Sequence, residues 1–368
     1  MAESRSPRLL PPGSTIGILG GGQLGRMLAL AAARIGMRSH VYCPEPDSPA
    51  FQVTDRRTIA AYEDDDALVA FARSVDVVTY EFENVPAGAG ALLARHVIVA
   101  PDPAILAITQ DRLTEKSFIQ KQGLNLADFA SVAGPAELEA AAGRIGYPCV
   151  LKTRKFGYDG KGQQAIREPD GLNSAWAAIG ARPAILESFV RFSSELSVIV
   201  GRGADGTLVC FDVPENRHEN HILRSSTVPA AIAPETEAAA KKIGRTIAEA
   251  LSYVGVMAVE LFLVDTPAGP RLLVNEIAPR VHNSGHWTMD ACSLSQFDLH
   301  IRAIAGWPLP PPQRHFDVVM TNLLGAEIFD SAGLAADPAT IVHIYGKQAA
   351  RPGRKMGHVN RLRPLGRR

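Results

Sequence analysis

The sequence carries no excess of either charge. Lysine plus arginine and aspartate plus glutamate each number 38, so no chain-wide field draws it onto nucleic acid or an anionic membrane. Any anion it takes must be gripped locally. It is also short of cysteine: the four (Cys43, Cys149, Cys210 and Cys292) stand far apart, form no CxxC pair and sit mostly in apolar runs such as YPCVL and LVCFD. That spacing argues against a disulfide framework and reads as buried thiols in a reducing compartment. No apolar run approaches a membrane span, and the start, MAESRSPRLLPPGS, puts an acidic residue and prolines where a signal peptide needs a basic and then an apolar stretch. Internal repeats and low-complexity segments are missing too. The expectation is a cytoplasmic chain with no membrane and no nucleic-acid partner.

What is present suffices for two to three domains of about 150 residues each, because 46% of the 368 residues are apolar, ample for packed cores. TIGILGGGQLGRMLALAAARIGM reads as a strand, a glycine turn and a helix whose Leu24, Met27, Leu28, Ala31 and Ile35 recur at helical spacing. Strand SHVYC, helix DDDALVAFARS, strand VDVVTYEF, helix PAGAGALLARH and strand VIVAP follow. This alternation signals a parallel sheet, so residues 1–110 are expected to form a doubly wound, Rossmann-like α/β domain.

From residue 111 the pattern becomes α+β with antiparallel sheets. A charged helix, DRLTEKSFIQKQ, ends at Gly123; a helix near 135–145 and the strand CVLKTR follow, and from about 184 strands dominate: ILESFV, ELSVIVGRGADGTLVCFDV, GVMAVELFLV and RLLVNEIA. One long helix, PETEAAAKKIGRTIAEALSY, interrupts them, while GADG and DTPAGP read as hairpin turns. Residues 111–306 form this region, with a lid subdomain at about 126–186. Residues 307–368 are a proline-punctuated C-terminal segment with one more strand, FDVVMTNLLG, and a solvated arginine-rich end.

Five features carry chemistry. In GGGQLGR, Gly20, Gly22 and Gly25 lie at a strand-to-helix junction, where amides and the helix N-terminus can receive a phosphate. With Glu45 or Asp47 at the end of the second strand it also fits a dinucleotide site, and tight strand–helix packing alone would explain it equally. In RKFGYDGKGQ, Lys152 on the preceding strand, Lys161 and the glycines from Gly157 to Gly162 make a clamp that grips a polyphosphate when closed; an exposed basic hairpin tip is the plainer reading. Glu260 and Glu276 each interrupt an apolar strand, beside Asn275. Paired through the DTPAGP turn, the two carboxylates can hold magnesium, whose shell phosphate oxygens and water complete, or they can form a structural salt bridge to Arg280 or a lysine.

In APRVHNSGHWT, Arg280, His282 and Asn283 offer donors for a small planar anion, unless this is an ordinary surface loop. The pairs His218/His221 and His282/His286 have metal-like spacing but lack an HExxH helix or cysteine partners, so zinc is not expected. Lys347, Arg351, Arg354 and Lys355 cluster around Pro352 and Gly353, suited to a phosphate monoester or to a solvated face.

The loop KFGYDGKGQ, the VE and NE strand carboxylates and NEIAPRVHNSGHWT together resemble the ATP-grasp superfamily, and more narrowly the N(5)-carboxyaminoimidazole ribonucleotide synthetase family. GGGQLGRM, YEFENVP, QDRLTEK, GYVGVMAVE, SQFDLHIRAI and RPGRKMGH resemble that family too, so the likeness runs from about residue 15 to 360. The resemblance implies an ATP-grasp fold and a carbon–nitrogen ligase of purine biosynthesis. ATP would phosphorylate bicarbonate to carboxyphosphate, which carboxylates aminoimidazole ribonucleotide. It further implies Mg2+, with Mn2+ as the alternative, no nicotinamide cofactor, and a homodimer.

Residue by residue, the resemblance places Arg112, Lys152, Gly157, Tyr158, Asp159, Gly160, Lys161, Gly162 and Gln163 around the ATP phosphates. Glu187, Ser188, Phe189 and Val190 would line the adenine, Glu195 would take the ribose, and His218 and Asn275 belong to the same nucleotide site. Glu260 and Glu276 become the metal ligands. Arg280, His282 and Asn283, with Tyr158 and Asp159, would cradle bicarbonate and carboxyphosphate. Gln23, Leu24, Glu81, Lys347, Arg351 and Arg354 would hold the ribonucleotide; the spacing from Lys347 to Arg351 is one residue longer than in the family pattern. A separate mutase is the expected next enzyme. The rivals are an ATP-grasp ligase using glycinamide ribonucleotide and formate, an NAD-dependent oxidoreductase, and a nucleotide sensor without turnover.

Overall fold

The computed structural model describes residues 9–155 and 162–366. It opens with β1 (Thr15–Leu19), α1 (Gln23–Arg34), β2 (Arg38–Tyr42), β3 (Arg56–Thr58), α2 (Asp65–Ala72), β4 (Val77–Tyr80), α3 (Ala87–Leu93) and α4 (Ala104–Thr109). The strands run parallel in the order β3-β2-β1-β4. Alternate residues feed two cores: Ile16, Ile18 and Val41 pack with α1, whereas Leu19, Tyr42 and Val78 pack with α2 and α3 on the other face. VIVAP is not a full strand. It is reduced to a parallel bridge between Val78 and Val99, with the Val78 amide and carbonyl bonded to the Ile98 carbonyl and Ala100 amide at 2.8 Å. The short β3, an Arg-Arg-Thr run, has no apolar period to announce it.

Helix α5 (Arg112–Lys121) starts at Asp111, whose carboxylate caps the amides of Leu113 and Thr114, and ends at Gly123 with φ +71°. Then come β5 (Phe129–Val132), α6 (Pro135–Ile145), β6 (Cys149–Thr153), β7 (Gln163–Ile166), α7 (Leu172–Ala178) and β8 (Ala184–Ser188). These four strands form an antiparallel sheet, β5-β8-β6-β7, over a small core that includes Leu138, Leu151 and Leu186. At its open end the Thr153 amide donates to the Gly162 carbonyl at 2.8 Å.

The rest builds one large sheet: β9 (Ser194–Arg202), β10 (Leu208–Cys210), β11 (Glu215–Glu219), β12 (Ile222–Val228), α8 (Pro234–Ala250), β13 (Gly255–Thr266), β14 (Gly269–Ala278), α9 (Thr288–Ala291), α10 (Gln296–Ile304), β15 (Phe316–Leu324), β16 (Thr340–Ile344) and β17 (Lys355–Pro364). Its order is β14-β13-β9-β11-β12-β15-β17-β16, with β10 beside β9. Val198, Val200, Met257 and Val259 face α8, while Ile199, Val256 and Ala258 face α10. This is the period of two expected of a sheet covered on both sides. Buried His300 on α10 then joins this sheet to the first: its Nδ1 accepts from the Val256 amide at 3.1 Å and its Nε2 meets Thr79 Oγ1 on β4 at 2.8 Å.

Two expectations need correcting. The C-terminal segment carries three strands, not the single one read from the sequence, and β17 lies between β15 and β16 in the large sheet. The burial of His358 and Asn360 on that strand breaks the apolar pattern that would have marked it. Of the cysteines, Cys43 and Cys149 are buried but Cys210 and Cys292 are only half-buried, and all four are free thiols.

Candidate active site

A cleft of about 1500 Å³ opens where the three sheets meet. Of the residues singled out in the sequence it gathers Gln23 and Leu24 from the start of α1, Glu81 from just past β4 and Arg112 from α5. The lid contributes Lys152, Gln163 and the run from Glu187 to Val190. The large sheet and the loop after it add Glu195, His218, Glu260, Asn275, Glu276, Arg280, His282 and Asn283. Gly162, Lys347, Arg351 and Arg354 do not line it, whereas Lys355 does. Gly157, Tyr158, Asp159, Gly160 and Lys161 lie outside the described residues.

The hairpin of β13 and β14 sets Glu260 directly opposite Glu276, with a bulge immediately after Glu260. Among the described residues, the ion pair that Glu276 makes is with Arg112 and not with Arg280. Glu276 faces Arg112 at 3.6 Å, Glu260 Oε1 faces His282 Nε2 at 3.4 Å, and Asn275 Nδ2 stands 3.5 Å from Glu260 Oε2. Burial first, then the charge of Glu276, pushes the Glu260 carboxyl up to about 7. Two carboxylates held this close with their repulsion only partly offset suit a divalent cation whose remaining ligands come from a bound phosphate.

A further carboxyl lies behind them. Buried Glu115 on α5 accepts from the Ile277 amide at 2.7 Å. Burial first, then Glu276, raises it from 4.5 to about 8. The folded state therefore keeps a proton that the unfolded state has released, and the stability this gives is complete below about pH 4.5 and lost as pH rises through 8. Glu115→Gln, which keeps the acceptor for Ile277, is expected to flatten the fall of Tm between these pH values; an unchanged slope would show that Glu115 is ionised in the fold.

The cationic side is denser than the sequence suggested. Glu187, buried on β8, takes Lys152 Nζ at 2.9 Å and Lys116 Nζ at 3.6 Å, and Lys116 also donates to the Asn275 carbonyl at 2.7 Å. Burial alone would raise the Glu187 carboxyl, but Lys116, Lys152 and Arg112 outweigh it and hold it down to about 2. Lys152 is in turn pushed below its ordinary range by burial, despite Glu187. The Glu187 side chain thus ties two lysines together. Beside it, Phe192 stacks on Phe262 with centroids 4.6 Å apart, and Glu195 on β9 bonds His218 Nδ1 on β11. His221 stands in the hairpin turn at φ 64° and also lines the cleft.

Arg280 has a partner the sequence did not reveal. Its fork engages both oxygens of Glu83, at 3.1 Å through Nη2, from the YEFENVP stretch just past the end of β4. Burial would raise the Glu83 carboxyl, yet the Arg280 charge and hydrogen bond bring it below the usual range. His282 is neutral, since burial and then Arg280 lower its pKa far below the ordinary value. Asn283 is less free than expected. It exchanges two hydrogen bonds with Asn322, at 3.0 and 2.5 Å, so its amide builds the wall of the cleft. Buried His286 accepts from Gln296 Nε2 through Nδ1 at 3.0 Å and does not line the cleft.

The glycine turn is also different from its reading as a phosphate cradle. The Gly22 and Gly25 amides donate to the two carboxylate oxygens of Glu81, the latter at 2.6 Å. A Cβ at Gly22 would lie 2.6 Å from Glu81 Oε1. An internal carboxylate thus fills the place a dinucleotide pyrophosphate would need, and Glu45 at the end of β2 accepts from the Cys43 thiol at 2.8 Å. Arg26 in the same motif bonds Gln52, which donates to the Gly346 carbonyl at 2.8 Å and so ties the motif to the basic cluster. There Lys347 donates to the Lys355 carbonyl at 2.7 Å and Arg354 to the Ala349 carbonyl at 3.0 Å, while Arg351 is exposed. Burial first, then Arg354, lowers Lys347 to about 8, opposed by Glu81.

Known proteins place this arrangement. Residues 117–297 match the ATP-grasp domain, residues 14–110 the ribonucleotide synthetase preATP-grasp domain, and residues 318–364 the phosphoribosylaminoimidazole carboxylase C-terminal domain. With a lid sheet and a large sheet closing on paired lysines and paired carboxylates, the chain is an ATP-grasp ligase. It is 49% identical over 357 residues to the N5-carboxyaminoimidazole ribonucleotide synthase of Brucella melitensis, covering 96% of this chain and 98% of that one. It is 42% identical to the Bacillus subtilis synthase over 96% and 93%. The crystal structure of an N5-carboxyaminoimidazole ribonucleotide synthetase as its ADP complex superposes with a TM-score of 0.93 at 43% identity, over 97% and 94% of the chains. The Aspergillus clavatus synthase in complex with ADP and 5-aminoimidazole ribonucleotide gives 0.89 at 31% identity, over 96% and 94%. The chain belongs to the N5-carboxyaminoimidazole ribonucleotide synthase family.

Proposed function

We propose that this protein uses ATP and bicarbonate to carboxylate the exocyclic amine of 5-aminoimidazole ribonucleotide, releasing ADP and phosphate. The observation that carries the reading is the convergence, in one cleft, of Lys152 for phosphates, a carboxylate pair for a cation, and Arg280 with His282 for a small planar anion, with Lys116 buried behind on the carboxylate that holds Lys152. A bicarbonate oxygen attacks the γ-phosphorus and ADP leaves. The amine nitrogen then forms its bond to the carboxyl carbon, the bond from that carbon to the phosphate oxygen breaks, and the amine proton is released.

Glu260 and Glu276 would hold Mg2+, which supplies charge neutralisation at the phosphoryl group. Lys152 binds the nucleotide phosphates from the other side, with Lys116 adding its charge from behind through their common partner Glu187. Arg280, oriented by Glu83, and the neutral imidazole of His282 hold the carboxyl group, and Gln23, Leu24 and Glu81 with Lys347 and its neighbours hold the ribonucleotide. The resemblance adds a homodimer to this reading, and the four free thiols support a reducing, cytoplasmic setting.

The test is ADP release from magnesium-ATP with aminoimidazole ribonucleotide and bicarbonate, beside glycinamide ribonucleotide and formate. Turnover in the first assay alone is expected. Turnover in the second alone would keep the clamp and overturn the substrate.

A further inference from the structure

Behind His282 runs a line of buried polar side chains that the proposed chemistry does not use. Asn216 on β11 lies directly opposite Ser226 on β12, and its Oδ1 accepts the Ser226 hydroxyl at 2.7 Å. Its Nδ2 donates to Ser197 Oγ on β9 at 3.0 Å. Ser197 Oγ is 2.7 Å from Ser284 Oγ, which is 2.8 Å from His282 Nδ1. Ser197, Ser226 and Ser284 are fully buried, so protein groups must satisfy their hydroxyls, and Asn216, nearly buried, borders the cleft.

Imidazole protonation is not visible directly and must be assigned from the network around it. Here the two ends of the line agree. At the far end, Ser197 receives a proton from Asn216, so its own hydroxyl points onward to Ser284, and the Ser284 hydroxyl points onward to His282. At the near end, the Ser284 backbone amide also donates to His282 Nδ1, at 3.3 Å, where His282 caps the short turn Asn283–Gly285. An amide N–H has no freedom to reverse, so Nδ1 is an acceptor and the ring proton sits on Nε2. That nitrogen faces Glu260 Oε1 at 3.4 Å, on the cleft side. The backbone of the same residue is clamped by Gln296, whose Oε1 accepts the His282 amide at 2.8 Å and whose Nε2 donates to its carbonyl at 2.7 Å.

We propose that Ser226, Asn216, Ser197 and Ser284 form a one-directional hydrogen-bond relay that fixes His282 as an Nε2–H donor into the cleft, with Asn216 and Ser284 as its positioning residues. His282 then offers the carboxyl group a hydrogen bond and takes no proton from it. This last step rests on the proposed function; the tautomer does not.

Three variants test the relay on the full-length protein labelled with 15N-histidine, the His282 signal being assigned by its loss in His282→Asn. In the wild type, without substrates, long-range 1H–15N correlations are expected to show protonated Nε2 and bare Nδ1. Asn216→Asp replaces the donor that starts the relay by an acceptor of nearly the same shape. The Ser197 and Ser284 hydroxyls then reverse, and with only the Ser284 amide left to hold Nδ1 as an acceptor the two tautomers are expected to mix. Removing a partner that orients an imidazole typically costs about 10–100-fold, so kcat for ADP release should fall by that much while KM for ATP stays unchanged. If the buried charge prevents folding, Ser284→Ala decides: it is expected to mix the two tautomers with a similar fall in kcat, whereas Ser197→Ala, which keeps the Ser284 hydroxyl on Nδ1, should cost less. Protonated Nδ1 in the wild type, an unchanged tautomer in folded Asn216→Asp, or full kcat in Ser284→Ala would each overturn the relay. Expected spectra with no turnover on bicarbonate in the wild type would instead uphold the relay and overturn the assigned reaction.

Discussion

Glu276→Gln is expected to lower magnesium-dependent ADP release about a thousandfold while leaving the protein as stable as before. The stability half follows from the surroundings of Glu276. Its side chain is 38% exposed and its ion pair with Arg112 spans 3.6 Å, a half-wet contact whose loss costs little. Against that small loss stands a gain, because the Glu276 charge raises both Glu260 and Glu115. Removing it relieves two buried carboxyls at once. The activity half follows from the hairpin register, which leaves Glu260 alone opposite a neutral amide. Metal ions supply several kcal/mol of charge stabilisation in such transfers, and each 1.4 kcal/mol is about a factor of ten in rate. Magnesium titrations of turnover, run beside thermal melts, check both halves. Turnover within tenfold of wild type at saturating magnesium would remove Glu276 from the metal site, and a large drop in Tm would make it a structural residue.

How much of this was legible in the sequence depended on whether a residue broke its local pattern. Glu260, Glu276 and Lys152 stood out because each interrupts an apolar strand, where an unpartnered charge is costly. Lys116 and Glu115 did not, although both are more deeply buried. They sit in a helix so charged throughout that its buried face carries no apolar signature. Glu83 had a signal that went unused: it follows the end of a parallel strand, where such sheets place their functional groups. The glycine turn misled for a different reason. Sequence shows that amides will be exposed at a helix start, but not that Glu81, 56 residues from Gly25, will occupy them. The relay behind His282 was hidden because serine and asparagine in strands look like ordinary solvent-facing positions until their neighbours close over them. Long-range polar pairing is settled by the assembled sheet, and no local period encodes it.

Glu187→Gln is expected to cost the nucleotide-free protein about 3 kcal/mol and to make its stability depend on nucleotide. The native carboxyl titrates at about 2 against an ordinary 4.5, a difference worth about 3 kcal/mol. A depressed carboxylate stabilises the fold above the unfolded value, so this contribution is present above about pH 4.5 and disappears as pH falls through 2. In the variant that acid limb should vanish from the Tm profile. At neutral pH, Lys116 and Lys152 would face each other without their common partner, and breaking a buried pair this way typically costs about 3–5 kcal/mol. The phosphates of a bound nucleotide can return the missing charge to the same lysines. ADP or ATP is therefore expected to raise the Tm of Glu187→Gln by more than it raises that of the wild type, the extra rise reflecting charge supplied where none remains. Equal nucleotide shifts in the two proteins would mean that the lysines serve Glu187 alone. A larger shift in the variant would mean that Glu187 holds the lysines for the phosphates, keeping two like charges together in the free protein at the position where the nucleotide needs both.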